Sequence, residues 1–360
     1  MKMEVLSIGQ ICSRFSSGKN ITAANIHEFG LYPVYGGNGL RGFTNSYNYD
    51  GECAIIGRQG AYCGNVKYVL GKSYMSEHAI VAVTNPNHNN RYFAYKLSLA
   101  KLGRFSGQAA QPGLSVTKLL RLKFEMPSRQ YQDRVASILS TYDTLIENNT
   151  KRIRILEKMA ENLYKEWFVR FRFPGHENVK MVNGLPNGWK KGALSDVCEF
   201  KRGKNITSSE MKDGTIPVIS AGITPSGFHS HANVYGISVT MSSSGANAGY
   251  IAVHYSDIWA ADCSYIEEAS TPCIYYVYEL LNNIRSIINN FQRGAAQPHV
   301  YPKDINRIKM IIPSEDIRKK ANEKIGVIHR QIDNLQRQNS LLARQRDLLL
   351  PRLMSGKLEV

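Results

Sequence analysis

The chain has 360 residues, of which 43% are hydrophobic, and a formal charge of +16 at pH 7. This length and apolar content indicate a folded protein with two ordinary cores and exclude a disordered chain. The charge favours a polyanionic partner, either nucleic acid or anionic lipid, although it says nothing about the fold.

The six cysteines form no CxxC pair and no Cys/His cluster at zinc spacing, so we expect reduced thiols and no bound metal. The N-terminus has no apolar signal core, and no stretch approaches about 18 apolar residues. We therefore expect a cytoplasmic protein that does not contact a membrane.

Residues 1–128 alternate short apolar runs with Gly, Asn, Ser and Pro, a pattern typical of strands and loops. We predict strands at 52–57, 64–70 and 121–126 and a helix at 92–102. Residues 37–42 satisfy GxGxxG, but they lack a βαβ setting, so they predict a glycine-rich turn. The segment is basic, with 14 Lys and Arg against 6 Asp and Glu.

Residues 129–173 predict one long central helix. From 131 to 171 there is no proline, and Leu139, Ile146 and Ile153 belong to a strict 3,4 alternation in which Asn149 is a polar member. About 40 helical residues make a rod of roughly 60 Å. Residues 174–188, with Asn183-Gly184 and Pro-centred turns, predict a linker.

The second half repeats the first in the same order. LSIGQICSRFSSGKNIT at 6–22 returns as LSDVCEFKRGKNIT at 194–207, and AAQP at 109–112 returns at 295–298. Residues 189–314 predict a second globular unit, with strands at 237–241, 250–254 and 307–312 and helical character at 273–291. Its 11 basic and 10 acidic residues nearly balance.

Residues 315–356 predict a second long helix on the same heptad rhythm. The expected fold class is therefore α+β, with two duplicated globular domains separated by an antiparallel two-helix coiled coil in a pseudo-two-fold arrangement. A duplicated unit of this length is too long for a solenoid repeat and fits a domain with its connector. A pseudo-two-fold molecule suits a roughly symmetric target such as duplex DNA.

The two helices predict a register in which facing residues have a constant sum. A sum of 488 places Asn149 opposite Asn339, where the two amides can satisfy each other and penalise slippage. Slips of one heptad, to 481 or 495, are the alternatives, as is a position of both Asn side chains at the solvent edge of the seam.

Small and polar loop residues are candidates for DNA contact, because Gly lets the backbone approach phosphates while Asn, Gln, Ser and Arg can bond base edges. For each residue the alternative is a solvated loop position or a structural hydrogen bond. The candidates are Lys19, Tyr35, Asn38, Arg41, Arg58, Gln59 and Gln111 in the first unit and Lys201, Arg202, Lys204, Thr224, Ser226, Ser243, Ser244, Asn247, Arg293 and Gln297 in the second.

An aromatic cluster follows the first long helix and consists of Trp167, Phe168, Phe171 and Phe173. One interpretation is packing against the base of a globular unit. The other is docking of a partner subunit, since exposed aromatics concentrate binding energy at interfaces.

NLYKEWFVRFRFPGHE at 162–177 resembles the central conserved region of the specificity subunits of type I restriction-modification systems. QIDNLQRQNSLLARQRDLLLPRLMSGKL at 331–358 resembles their distal conserved region. The resemblance extends over essentially the whole chain, because the duplicated units look like the target-recognition domains of that family.

The resemblance implies a subunit with no catalytic residues of its own. Each recognition domain would read one half of a split double-stranded DNA target, and the paired helices would act as spacer and docking platform. Two modification subunits would use S-adenosylmethionine, and restriction subunits would use ATP and Mg²⁺ for cleavage. No cofactor is expected on this chain.

Two other functions stay open at this point. An enzyme with duplicated binding domains is disfavoured, because the chain has no Asn-Pro-Pro-aromatic tetrad, no helicase motif and no nuclease carboxylate cluster. A coiled-coil adaptor that does not recognise DNA is the alternative, and it would lack the salt-dependent binding that phosphate neutralisation produces.

Overall fold

The computed structural model describes residues 3–107, 113–294 and 298–358. The chain divides into two compact units, one formed by Met1–Glu147 with Asn339–Val360 and the other by Asn148–Gln338. Each unit holds one α+β domain together with part of both long helices. The α+β class and the duplication predicted from the sequence are confirmed.

Among its described residues, the first domain contains nine strands and three short α-helices. Its four-stranded sheet has the order β2-β8-β5-β6, a three-stranded sheet has the order β4-β3-β7, and β1 pairs with β9. The elements are β1 Glu4–Ser7, α1 Ile8–Ile11, β2 Cys12–Ser17, β3 Tyr32–Gly36, β4 Gly39–Thr44, β5 Glu52–Gly57, β6 Val66–Leu70, β7 Tyr74–Met75, β8 Ala79–Thr84, α2 Asn90–Leu99, α3 Val116–Leu120 and β9 Lys123–Met126.

Strand β5 shows why this domain forms three layers. Its side chains alternate between the two faces of the sheet, as the two-residue period of a strand requires. Ala54 and Ile56 belong to a core with Phe93 of α2, whereas Cys53 and Ile55 belong to a separate core on the other face of the sheet. Both faces are apolar, so the sheet lies between the helix and the three-stranded sheet.

The first long helix, α4, spans Arg129–Tyr164 and continues as a π-helical turn over Lys165–Val169. The predicted linker after it is not wholly irregular. It holds a small hairpin, β10 Met181–Val182 with β11 Leu185–Pro186, whose turn residues Asn183 and Gly184 have φ values of 53° and 77°. Asn and Gly favour such left-handed turns.

The second domain repeats the topology of the first. Its sheets have the orders β13-β19-β16-β17, β15-β14-β18 and β12-β20, which match the first domain strand for strand. The elements are β12 Lys190–Ala193, β13 Lys201–Arg202, β14 Ile216–Ile219, β15 Gly227–His229, β16 Ser238–Ser242, β17 Ile251–His254, β18 Trp259–Ala260, β19 Cys263–Glu267, α5 Ile274–Asn283, α6 Arg285–Asn289, α7 Pro302–Ile305 and β20 Lys309–Ile312.

The helical character predicted at 273–291 is divided at Ile284, where α5 ends and α6 begins. The second long helix, α8, spans Glu315–Met354. Within each unit α4 and α8 run antiparallel. In the first unit the Tyr131 hydroxyl donates to the Leu353 carbonyl at 2.9 Å, and in the second Ala160 shares a core with Ile325.

Candidate nucleic-acid interface

In the first unit, several predicted residues meet at one end of the four-stranded sheet. Strands β2 and β5 both pair antiparallel with β8, so the ends of β2 and β5 lie beside the start of β8. Lys19 follows the end of β2, and Arg58 and Gln59 follow the end of β5. The topology therefore brings residues about 40 positions apart in the chain to the same end of the sheet, here termed the sheet edge.

A chain of polar contacts connects these loops. Nη1 of Arg58 donates to Oγ of Ser17 at 3.2 Å, and the Arg58 backbone N–H donates to the His78 carbonyl at 2.9 Å. The His78 ring lies between two oxygens, with Nδ1 at 3.2 Å from Oε1 of Gln59 and Nε2 at 3.0 Å from Oε1 of Glu77. Ser17, Glu77 and His78 were not among the predicted residues.

The β3–β4 hairpin joins the same region. Its turn is Gly37-Asn38, as the glycine-rich pattern predicts, and Asn38 is exposed. A Cβ added to Gly57 would overlap the Gly37 carbonyl, so hairpin and loop are in close backbone contact. The exposed Arg41 side chain lies over Gly36, and the half-buried Tyr35 packs against the core of the small sheet.

In the second unit, Asp262 is the centre of the corresponding contacts. It accepts a hydrogen bond from Oγ of Ser244 at 2.6 Å and lies 3.6 Å from the guanidinium of Arg202. Lys201, also on β13, pairs with Glu267 at 2.6 Å between Nζ and Oε1. Arg202 is about half exposed, so its guanidinium is held at the surface.

The other candidates in the second unit differ in accessibility. Thr224 and Ser226 are exposed on the β14–β15 loop, and Asn247 is half-buried. Arg293 is exposed and pairs with Asp304, with 3.0 Å between Nη2 and Oδ2. Ser243 and Ser244, by contrast, are buried at 2% and 6% exposure. Their hydroxyls are engaged inside the domain, so they shape the loop instead of presenting donors at its surface.

Lys19 and Lys204 each follow a glycine that packs against the backbone at the end of the short parallel strand of its domain. A Cβ on Gly18 would overlap the Met75 carbonyl, and one on Gly203 would overlap the Ala261 carbonyl. The next residues, Lys19 and Lys204, donate backbone N–H bonds at 2.9 Å to the β7 and β18 carbonyls. Both ammonium groups are thus carried on a backbone fixed against a sheet. The predicted residues Gln111 and Gln297 lie outside the described residues.

The aromatic cluster lies in the core of the second unit. Trp167, Phe168 and Phe173 are between 3% and 7% exposed, and only Phe171 is half-buried. The Phe173 ring stacks on Trp189 with centroids 5.4 Å apart. Docking through these rings would require accessible faces, so the structure favours the packing interpretation, and the π-helical turn carries both Trp167 and Phe168 into this core.

Asn149 is buried at 7% exposure within the second unit, and its Nδ2 donates to Oε1 of Gln338 at 3.4 Å. Asn339 is half-buried within the first unit. The burial of Asn149 suits a polar member of the heptad seam, and the place of Asn339 in that seam stays a prediction.

These features define a class of protein, namely one with two copies of a loop-bearing α+β domain, each attached to a long helix. A model of the type I restriction modification DNA specificity domain matches residues 1–158 and 186–344. The chain therefore belongs to that family and carries two copies of its domain. No helix among the described residues is sufficiently long and apolar to span a membrane.

Curated relatives agree with this assignment. The chain is 39% identical over 160 residues to the type I restriction enzyme EcoprrI specificity subunit of Escherichia coli, covering 43% of this chain and 40% of that protein. It is 27% identical over 300 residues to the MjaIX specificity subunit of Methanocaldococcus jannaschii, covering 75% and 68%. The alignment with the first relative thus spans less than half of that protein's length.

A solved structure shares the fold. The S subunit of the type I restriction-modification system from M. genitalium superimposes with a TM-score of 0.66 at 18% identity, over 98% of this chain and 96% of that one.

Proposed function

We propose that the chain is the specificity subunit of a type I restriction-modification system and reads a bipartite duplex target, one half-site per domain. The recognition domains would be residues 1–128 and 189–314, the helices 129–173 and 315–356, and the linker 174–188. The observation that carries the proposal is the repetition of one loop-bearing sheet edge, on which the polar residues differ between the copies as two different half-sites require.

The chemistry of these edges suits duplex DNA. Lys19 and Lys204 offer flexible charges that can neutralise phosphates, while Arg58 and Arg202 offer planar donors that fit base edges. Exposed Asn38 and Thr224 add neutral hydrogen-bonding groups on the neighbouring hairpins. Ser243 and Ser244 would support their loop from inside.

Selection from a pool of randomised duplexes tests this function, with the full-length chain co-purified with its modification subunits. We expect two short half-sites separated by an unread spacer, and affinity that falls steeply with salt because phosphate contacts release counterions. Binding without a selected motif, or without salt dependence, would instead support the non-DNA adaptor.

The long helices offer a separate surface for partners. In the first unit Ile138, Leu145, Leu341 and Leu348 are between 36% and 63% exposed. Each pair is spaced by seven residues, so each forms a stripe on one helix face, and the heptad geometry places both stripes on the same side of the seam. The other side of the pair contacts the domain through Asp143 and Tyr95.

We propose that this apolar surface docks a modification subunit, and that Ile155, Met159 and Val327, all at least half exposed, form its counterpart in the second unit. Exposed apolar stripes of this kind mark interaction sites. Two modification subunits would then supply S-adenosylmethionine-dependent adenine methylation, and restriction subunits would supply the chemistry that uses ATP and Mg²⁺. The chain itself would hold no cofactor and no catalytic residue.

Co-purification tests the docking surface. Leu145→Asp combined with Leu348→Asp should abolish retention of the modification subunit while leaving the circular dichroism spectrum unchanged, because both side chains lie outside the seam. Ser137→Asp adds one such charge at an exposed outward position and controls for the effect of a new carboxylate on this helix. Retention by the double variant would remove this surface from the interface.

A further inference from the structure

Both domains carry one arginine at the same end of the four-stranded sheet. The arginine belongs to a loop in the first domain and to a strand in the second. In the first domain Arg58, just after β5, donates to Ser17 at the end of β2. In the second domain Arg202 occupies the end of β13, where the first has Ser17, and Ser243 follows β16, where the first has Arg58. Arginine and serine have thus exchanged positions between the copies.

The backbone supports this equivalence. The Arg58 carbonyl accepts from the Leu114 N–H at 2.9 Å, and the Ser243 carbonyl accepts from the Val300 N–H at 3.0 Å. The glycines that follow Ser17 and Arg202 make the same close contacts with their neighbouring strands. The two copies keep one guanidinium at this site although the arginine occupies a different position in each. We infer that the site requires the guanidinium and not an arginine at one fixed position.

A carboxylate follows the short parallel strand in both copies, and in the second domain it lies 3.6 Å from the Arg202 guanidinium. Glu77 and Asp262 each lie two residues after the short parallel strand of their domain. Asp262 binds Ser244 directly, and Glu77 reaches Gln59 through His78. Gln59 and Ser244 are themselves equivalent, since each is the second residue after its strand. The carboxylate therefore anchors the same loop position in both domains.

We propose that Asp262 is a specificity-determining residue, an inference that rests on the proposed DNA recognition. A carboxylate beside a guanidinium repels phosphate, so the arginine is directed to a base edge instead of the DNA backbone. The ionised carboxylate only accepts hydrogen bonds, as the cytosine N4 amine requires, and arginine pairs with guanine O6 and N7. The pair of side chains fits a G·C base pair in the major groove.

The charge-removing substitution Asp262→Asn tests this inference, because it keeps the size of the side chain and one acceptor oxygen. We expect discrimination at one G·C position to fall roughly 5- to 150-fold in the half-site of the altered domain, the range of one good base contact. The other half-site is the internal control and should not change. Affinity for unrelated duplexes should rise, because a repulsive charge is gone.

A carboxylate that only stabilised the loop would behave differently, since its loss would weaken binding to all DNA. Glu125→Gln and Glu323→Gln remove exposed carboxylates on β9 and α8 and should leave the selected motif unchanged. If the wild-type complex selects no bipartite motif, the proposed function fails. If it selects one and the Asp262→Asn variant selects the same motif with the same strength, only the role of Asp262 fails. Relaxation at an A·T position would overturn the G·C assignment.

Discussion

Asp143 on α4 accepts a hydrogen bond from Arg346 on α8, with 2.8 Å between Oδ1 and Nη1. The residue numbers of this pair sum to 489, and those of the Asn149–Gln338 pair in the second unit sum to 487. Both sums differ by one from the predicted value of 488. The alternative sums of 481 and 495 would place Arg346 opposite residue 135 and residue 149, respectively. The contacts agree with the predicted register, and the pairing of Asn149 with Asn339 stays a prediction.

Replacing Asp143 should destabilise the first unit. Asp143 also accepts a hydrogen bond from the Tyr95 hydroxyl and lies 3.5 Å from Arg91. Asp143→Ala therefore leaves three partly buried donors, on Tyr95, Arg91 and Arg346, without this acceptor. We expect the free energy of unfolding to fall by about 1–3 kcal/mol in urea titrations. Asp347→Ala is the matched control, since Asp347 pairs with the same arginine but is mostly exposed, and should cost about 0.5 kcal/mol or less.

Removing the guanidinium of Arg58 should weaken DNA binding. If it reads a base, Arg58→Ala relaxes one position by about 1–3 kcal/mol; if it contacts phosphate, the affinity falls uniformly and the salt slope shrinks by about one. Arg41→Ala on the neighbouring hairpin should give one of the same two signatures. Titrations at several salt concentrations separate them, and wild-type values for both variants would remove this edge from the interface.

Exchange of a whole recognition region should change one half-site. Residues 1–128 moved into a related scaffold should carry their half-site with them, because the loops are fixed by contacts within their own domain. Sequencing of methylated bases in cells that carry the chimera and its modification subunits gives both half-sites. A change in both would contradict independent reading by the two domains.

His254 should make the second unit sensitive to acid. Burial lowers the pKa of His254 from 6.5 to about 4, and its Nε2 lies 2.8 Å from the Thr240 hydroxyl. The folded state favours neutral imidazole, so this contribution is complete above about pH 6.5 and is lost as the pH falls towards 4.

The loss should reach at most about 3 kcal/mol. Urea unfolding at pH 7 and pH 5 should show a smaller difference for His254→Asn than for the wild type. His231→Asn, at an exposed histidine, is the control. An equal pH difference for wild type and His254→Asn would contradict this role of His254.

The repeated order of motifs was sufficient to predict the duplication, the α+β class and the long helices. Strand β5 was predicted at its observed bounds because its apolar run ends sharply at Gly57. The hairpin at Met181–Pro186 was missed, since strands of two residues leave no periodic signal. The break at Ile284 was missed as well, because Leu281, Ile284 and Ile288 continue the helical 3,4 spacing across it.

The candidate site was only partly predictable. Arg58 and Arg202 are predictable from their own chemistry, but Glu77 and Asp262 are not, because a carboxylate is not an obvious partner for DNA. The sequence also could not show that Ser243 is buried, since a serine in a glycine-rich loop suits either environment. Burial and carboxylate contacts depend on strand pairing, which one sequence does not specify.

The exchange of arginine and serine between the two copies limits how such proteins can diversify by recombination. A crossover between Ser17 and Arg58 that joined the first strand of one copy to the loop of the other would create a domain with two guanidinium groups at that site or with none. Neither product would keep the parental charge at the sheet edge. Crossovers in the long helices avoid this outcome, so we expect recombination to exchange complete domains.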